Sequence, residues 1–448
     1  MMDTHFIGLL YGGVTLLLLF SGMPIAFALG LSALGFMAVF MPAPMLQSVA
    51  ETIFSELDNF TLLTIPLFVL MGAAIGKTRA GSDVYNSLNA WMHKVPGGLG
   101  LANVCACAVF AAMCGSSPAT CSAIGSSGIP QLVKRGYSEG LATGIIAAGG
   151  TLGILIPPSL TLILYGLAAE QSIGRLFMAG IGPGILLVGL FACWVMLKYS
   201  RERAAALAVG GPAAEAILQQ DRFTWRERLE SLPRLLPFLA LIALIMIALY
   251  GGWATPSEVA GIGAAGAVVL VVLLYKCWKP AELKTILSGT VRESTMIMMI
   301  IATSFLFTFV MSYLGVTQQA AGWLVGLGLS KWAFFICANV FIVLLGFFLP
   351  PVAIILMVTP ILLPAVKALG IDLVWFGIVM TILMEMGMIH PPVGLNLFVI
   401  NGIAPDIKLR NIVWGTMPFI GLMILGIVLL CVFPEIAVGL PDHFYKGG

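Results

Sequence analysis

Apolar residues in this chain come in long unbroken runs separated by short polar or Pro/Gly-rich breaks. Runs over residues 6–20, 24–41, 60–76, 178–197, 236–251, 256–275, 294–313 and 414–433 approach or reach the ~20 residues a helix needs to cross the hydrocarbon core of a bilayer. A helix that is apolar all round belongs in lipid or deep in a bundle, so the runs predict an all-α polytopic membrane protein. Only Asp3 and His5 carry ionisable side chains ahead of Phe6. The first run therefore lacks the basic flank of a signal peptide, and no small-residue cleavage site follows it; it is read as a retained span.

Composition sharpens this picture. The chain is 60% hydrophobic and 9% charged, against about 25% charged in an ordinary soluble domain. Cytoplasmic loops concentrate Lys and Arg, and the densest basic run is Lys198, Arg201, Arg203, Arg222, Arg226, Arg228 and Arg234. Placing that run inside and alternating along the chain also puts Lys77, Arg79, Lys94, Lys134, Arg135, Lys276, Lys279, Lys284, Arg292, Lys408 and Arg410 inside. Arg175, Lys331, Lys367 and Lys446 fall outside, together with an acidic loop holding Glu51, Glu56 and Asp58. Both termini then face the extracytoplasmic side. The eight cysteines sit mostly in apolar stretches with no C-x-x-C pair and read as small buried hydrophobes, since a metal or redox centre would need His or acidic neighbours they lack.

The chain repeats itself. Pro130, Gly136, Gly153, Pro157 and Pro158 recur 234 positions later as Pro364, Gly370, Gly387, Pro391 and Pro392. After a one-residue insertion, Ala169, Arg175, Gly180 and Pro183 match Ala404, Arg410, Gly415 and Pro418. The charge assignment gives the copies opposite orientations, Arg175 outside and Arg410 inside. Inverted repeats of this kind suit a carrier that opens alternately to either side. The polar stretch 198–235 between them reads as a cytoplasmic connector ending in an amphipathic interfacial helix at residues 222–236. No nucleotide-binding motif occurs, so ATP is not expected to power this chain.

Each copy holds an apolar hairpin broken by small or rigid residues, then a helix broken by Pro-Pro. The breaks are Gly115-Ser116-Ser117-Pro118-Ala119-Thr120 and Ile156-Pro157-Pro158-Ser159, then Leu349-Pro350-Pro351-Val352-Ala353 and His390-Pro391-Pro392-Val393-Gly394-Leu395-Asn396. Residues 98–133 carry basic flanks needed on one side, so that hairpin is re-entrant, and residues 332–366 mirror it. Broken backbone at membrane depth is tolerated only where protein covers it or it lines a wet cavity, so the four breaks are expected to converge on one cavity. Free carbonyls and the hydroxyls of Ser116, Ser117 and Thr120 suit Na⁺, while half-helix N-termini suit an anion. The plainer alternative is that Pro-Pro only kinks and Gly/Ser only lets helices pack closely. Glu385, the one acidic residue deep in an apolar run, reads as a cation ligand, a proton carrier or a group that merely pairs within the bundle. His390 beside the same break is a second titratable candidate or a hydrogen-bonding spacer.

These segments closely resemble the large membrane subunit of the tripartite ATP-independent periplasmic (TRAP) transporters over essentially the whole chain. Gly22-Met23-Pro24-Ile25-Ala26, Ile65-Pro66-Leu67-Phe68, Ala254-Thr255-Pro256-Ser257-Glu258 and above all the two Pro-Pro segments carry the resemblance. It implies an elevator-type carrier, similar to sodium-coupled dicarboxylate carriers, in which a transport domain holding both hairpins slides against a scaffold. It implies Na⁺-driven uptake of an organic acid, C4-dicarboxylate or related carboxylate, across a bacterial inner membrane. The implied partners are a periplasmic substrate-binding protein and a small four-helix membrane subunit, here expected as a separate polypeptide; no cofactor beyond Na⁺ as coupling ion and no nucleic acid is implied.

On that reading the chain divides into N-terminal scaffold spans 1–59, a first repeat 60–197, the connector 198–235, scaffold spans and a cytoplasmic loop 236–292, a second repeat 293–433 and an extracytoplasmic tail 434–448. Substrate candidates are Ser116, Ser117, Pro118, Thr120, Ser159, Val393, Gly394 and Asn396. Sodium candidates, largely through backbone carbonyls, are Gly115, Ser116, Ser117, Thr120, Gly153, Pro157, Pro351, Gly387 and Pro391, with Glu385 and His390 for proton or cation coupling. His390 stands where the family more often has Thr, and Leu383 where it often has a polar residue, so the second cation site leans on carbonyls around Gly387 and Pro391. The runner-up is a stand-alone Na⁺- or H⁺-coupled anion carrier needing no binding protein. An intramembrane enzyme finds no H-E-x-x-H, Ser-His or paired-Asp constellation, and a continuous channel fits paired re-entrant breaks poorly.

Overall fold

The computed structural model describes residues 4–95, 97–210 and 223–444, and every regular element among them is a helix. Helices α1 (Thr4–Phe20), α2 (Ile25–Phe40), α3 (Ala43–Gln47) and α4 (Val49–Leu57) lead through a 3₁₀ turn (Phe60–Leu63) into α5 (Thr64–Gly76) and α6 (Ala80–Met92). The first hairpin is α7 (Gly98–Cys114) and α8 (Ser117–Lys134), and the first broken helix is α9 (Glu139–Leu155) and α10 (Leu160–Ala169), followed by α11 (Ile173–Val209). Next come α12 (Trp225–Tyr250), α13 (Pro256–Tyr275), α14 (Pro280–Tyr313) and α15 (Val316–Gly326). The second copy comprises α16 (Lys331–Gly346), α17 (Pro351–Ala368), α18 (Leu373–Ile389), α19 (Leu395–Ile403) and α20 (Leu409–Val432), and α21 (Glu435–Phe444) closes the chain. Among the described residues six helices are long and apolar enough to span a membrane, or eight if each bent pair counts as one span.

The repeat seen in the sequence is a repeat of structure. Helix α18 has the bounds of α9 shifted by 234 positions, and α17 begins 234 positions after α8. Local chemistry explains the shared ends. Gly136 and Gly370, at φ +80° and +63°, take the left-handed turn that closes each hairpin's second arm. The next helix is then capped at equivalent positions by different residues, Ser138 accepting from the Leu141 amide and Asp372 from the Trp375 amide. The Pro-Pro bonds of the two broken helices, Pro157-Pro158 and Pro391-Pro392, are cis.

The copies lock together where glycine lets backbones touch. A Cβ on Gly415 of α20 would lie 2.0 Å from the Gly140 carbonyl oxygen, and one on Gly144 would lie 2.2 Å from that of Gly415. Gly140 and Gly144 thus form a small-xxx-small face on α9 for a close helix crossing. Helix α9 packs against α7, α8, α11, α18 and α20, and so sits at the centre of the larger core. A separate core joins α1, α2, the end of α14 and α15 through Tyr11, Leu29, Phe36, Met37, Phe307 and Val310, with Tyr11 donating to the Phe307 carbonyl at 3.2 Å.

Three expectations need correction. The acidic segment at residues 51–58 is largely helix α4 rather than a loop, and the chain bends by 67° between it and the turn and helix that follow. Helix α11 runs past residue 197 to Val209, because its polar end is Ala-rich and keeps helical propensity. The interfacial helix expected at 222–236 and the span at 236–251 are one helix, α12, started by a capping box in which Thr224 and Glu227 satisfy each other's amides. Residues 211–222, and Lys446 in the tail, lie outside the described residues. Part of the expected tail is helix α21, seated so closely on α11 that a Cβ at Gly182 would fall 1.9 Å from the Ile436 carbonyl oxygen.

Candidate functional site

At the first hairpin's tip, Gly115 ends α7 in the left-handed region (φ +58°) and Ser116 starts α8 in extended backbone. The tip rests on the first Pro-Pro break. A Cβ on Gly153 would stand 3.3 Å from the Ser116 carbonyl, and one on Gly115 would stand 3.2 Å from the Pro158 carbonyl oxygen. The second copy repeats the contact more tightly, a Cβ on Gly387 falling 2.7 Å from the Gly346 carbonyl carbon and oxygen. Small residues at these points let the hairpin backbones approach broken helices whose carbonyls have lost their helical partners.

The predicted side chains divide by what they touch. Thr120 turns its hydroxyl back onto the Ser116 carbonyl (2.9 Å), bracing the tip. Ser159 is likewise used up in the break, donating to the Ile154 carbonyl and capping α10 at the Leu162 amide. Pro118 and Pro351 occupy the first turns of α8 and α17, where a missing amide costs nothing. Ser117 is fully buried. Its hydroxyl donates to Glu385 Oε2 at 3.1 Å and accepts from Asn396 Nδ2 at 2.8 Å. One residue from each of α8, α18 and α19 thus meets across the two repeats. Val393 is exposed, Gly394 makes the turn into α19 at φ +56°, and Pro391 is half-buried. His390 stacks on Phe347 with ring centroids 4.7 Å apart and lies against the Pro391 carbonyl, away from Glu385's hydrogen bonds.

A cavity of about 320 Å³ opens beside the first tip, walled by Cys114, Ser116, Ala119 and Ser122 of the hairpin, Leu160 after the break, Gly72 and Lys77 at α5, and Gly289 and Glu293 of α14. None of its walls comes from the second hairpin or the second Pro-Pro break. The expected convergence of all four breaks is not met by this cavity; the second pair reaches the first through Ser117, Glu385 and Asn396. Lys77 and Glu293 are cavity residues that the sequence reading did not single out. Glu293 sits one position ahead of the apolar run 294–313, and only the continuation of α14 over 34 residues carries it to the hairpin.

The sequence profile of a family described as "Tripartite ATP-independent periplasmic transporter, DctM component" matches residues 13–436. The chain belongs to that family. The C4-dicarboxylate TRAP transporter large permease DctM of Rhodobacter capsulatus is 35% identical, over 96% of this chain and 98% of that protein. Its counterpart in Pseudomonas aeruginosa is 36% identical, over 93% and 94% respectively. In fold the chain resembles the YdaH transporter of Alcanivorax borkumensis, with a TM-score of 0.64 at 17% identity, covering 97% of this chain and 99% of that one. A TRAP large permease is a multi-pass membrane transporter subunit working with a small membrane subunit and a periplasmic binding protein, which accounts for helices apolar on all sides.

Proposed function

We propose that this TRAP large permease drives Na⁺-coupled uptake of an organic acid, a C4-dicarboxylate or related carboxylate, across the bacterial inner membrane. A periplasmic binding protein delivers the substrate, a separate small subunit completes the membrane part, and both termini face the periplasm. The observation that carries the reading is the seating of each hairpin tip on its own Pro-Pro break, with the first tip opening onto a cavity. Such a tip offers backbone carbonyls at a helix break for Na⁺ and the N-terminus of α8 for a carboxylate. Ser116 lines the cavity with Lys77 and Glu293, and the positive-inside assignment puts Lys77 on the cytoplasmic side, so the cavity is the inward exit. The two relatives named for C4-dicarboxylates support the substrate class.

The elevator reading adds that the hairpins and α9, α10, α18 and α19 move as one body against α1, α2, α12, α13 and α14. The separate core around Tyr11 and Phe307 supports a second body on the scaffold side. Reconstitution with each component omitted in turn tests the proposal. Uptake of a C4-dicarboxylate should require an inward Na⁺ gradient, the binding protein and the small subunit. Full uptake by this chain alone would favour the stand-alone carrier, and uptake indifferent to replacing Na⁺ with K⁺ would remove the sodium coupling.

A further inference from the structure

The contact between the repeats leaves two oxygen atoms without partners. Glu385 is 1% exposed and Asn396 0%. Glu385 Oε2 accepts from Ser117, and the Asn396 amide nitrogen is held by Ser117 Oγ at 2.8 Å and the Ala147 carbonyl at 3.5 Å. Glu385 Oε1 and Asn396 Oδ1 are buried and make no hydrogen bond. None of the ion pairs among the described residues involves Glu385. An isolated buried carboxylate costs several kcal/mol even after relaxation, and buried acceptors are as a rule satisfied. Two unsatisfied acceptors on side chains held by one serine, one of them a carboxylate, therefore form a seat for a small hard cation, which takes oxygen ligands and needs no hydrogen from them.

We propose that the two unpartnered oxygens, Glu385 Oε1 and Asn396 Oδ1, on side chains that the Ser117 hydroxyl joins through their other atoms, form a sodium site distinct from the carbonyl positions at the two helix breaks. The proposal rests on the sodium-coupled reading above and adds an ion to it. The repeat makes no second copy of this site. The counterparts of Glu385 and Ser117, 234 residues away, are Thr151 and Pro351, and past the one-residue insertion that of Asn396 is Thr161; none is a carboxylate, and Thr151 already satisfies its hydroxyl on the Ala148 carbonyl at 2.6 Å. The site thus takes one ion, and that ion ties the first hairpin to the second repeat. Na⁺ bound to the carboxylate would form a neutral pair within the loaded body. His390 takes no part, its ring being occupied by Phe347.

The test uses the purified complex of this chain with its small subunit, with NaCl exchanged against choline chloride at constant ionic strength. The wild-type melting temperature should rise with Na⁺ and not with K⁺, since a ligand that binds the folded state stabilises it. Glu385→Gln should need at least ~10-fold more Na⁺ for half the shift, and the ratio of ²²Na⁺ to substrate taken up by liposomes should fall by one. Ser117→Ala, which keeps the carboxylate, should weaken Na⁺ less and serves if Glu385→Gln does not fold. An unchanged Na⁺ midpoint and ratio in both variants, with wild-type uptake still Na⁺-driven, overturns the site and leaves the sodium-coupled reading standing. Wild-type uptake and melting both indifferent to Na⁺ overturn the two together. A wild-type shift that follows pH and ignores Na⁺, while uptake stays Na⁺-driven, assigns the seat to a proton and also overturns the proposal.

Discussion

Gly153 and Gly387 occupy equivalent positions, yet the space around them differs. A methyl group at Gly153 meets the Ser116 carbonyl at 3.3 Å, a contact that a small shift relieves, whereas at Gly387 it meets the Gly346 backbone at 2.7 Å. Gly387→Ala should cost about 1–3 kcal/mol through overpacking and abolish uptake, while Gly153→Ala should cost well under half as much; thermal melting of the two purified variants checks the contrast. Ser116 offers a separate test, since it lines the cavity and not the buried cluster. Removing one hydroxyl ligand is worth about 1 kcal/mol, so Ser116→Ala should raise the half-saturating Na⁺ or substrate concentration roughly 5-fold with melting unmoved, and unchanged uptake curves would take Ser116 out of the site. At this scale the sequence named residues that meet in the fold, but not their partners. Ser117 and Asn396 are 279 positions apart, and nothing in the local pattern of either announces the other. Thr120 and Ser159 read as ligands because hydroxyls beside breaks suit Na⁺, and in the fold each also donates its proton to a nearby backbone carbonyl.

The helical elements were readable wherever a covalent peculiarity fixes them. Proline and glycine restrict or free the backbone whatever the tertiary context, so both hairpins and both breaks fall within two residues of their expected ends. Boundaries set only by solvation were misread. The Ala-rich end of α11 is polar enough to pass for connector yet is helical, and the basic start of α12, expected as a separate interfacial helix, is continuous with the span that follows. Helix α8 carries the hairpin's motion in the elevator reading, and its half-buried Ala119 and exposed Ser122 line the cavity. Ala119→Cys, in a background where the exposed Cys193 and Cys337 are replaced, should react with a membrane-impermeant thiol reagent from the cytoplasmic side without Na⁺ and substrate, and lose that reactivity when both are present. Labelling that stays constant under every condition would count against movement of the hairpin.

For the whole molecule, the repeat could be read as inverted only because positive charge marks the cytoplasmic side, while its fusion into one core depends on contacts invisible in either copy alone. Gly140 and Gly144 acquire meaning only when Gly415 is laid against them. The last helix supplies a practical handle on the same question. Because α21 rests on α11 at Gly182, with Ala437 and Pro441 buried and Arg175 paired to Asp442 at 2.7 Å, the far end of the chain is fastened to the hairpin-bearing half. The near end belongs to the core of α1, α2 and α14. Spin labels at Thr4 and Phe444 thus form a built-in molecular ruler. The spread of distances between them, recorded by pulsed electron resonance in nanodiscs, should shift when Na⁺ and substrate are added, and a distribution that does not move would mean that the two halves travel together.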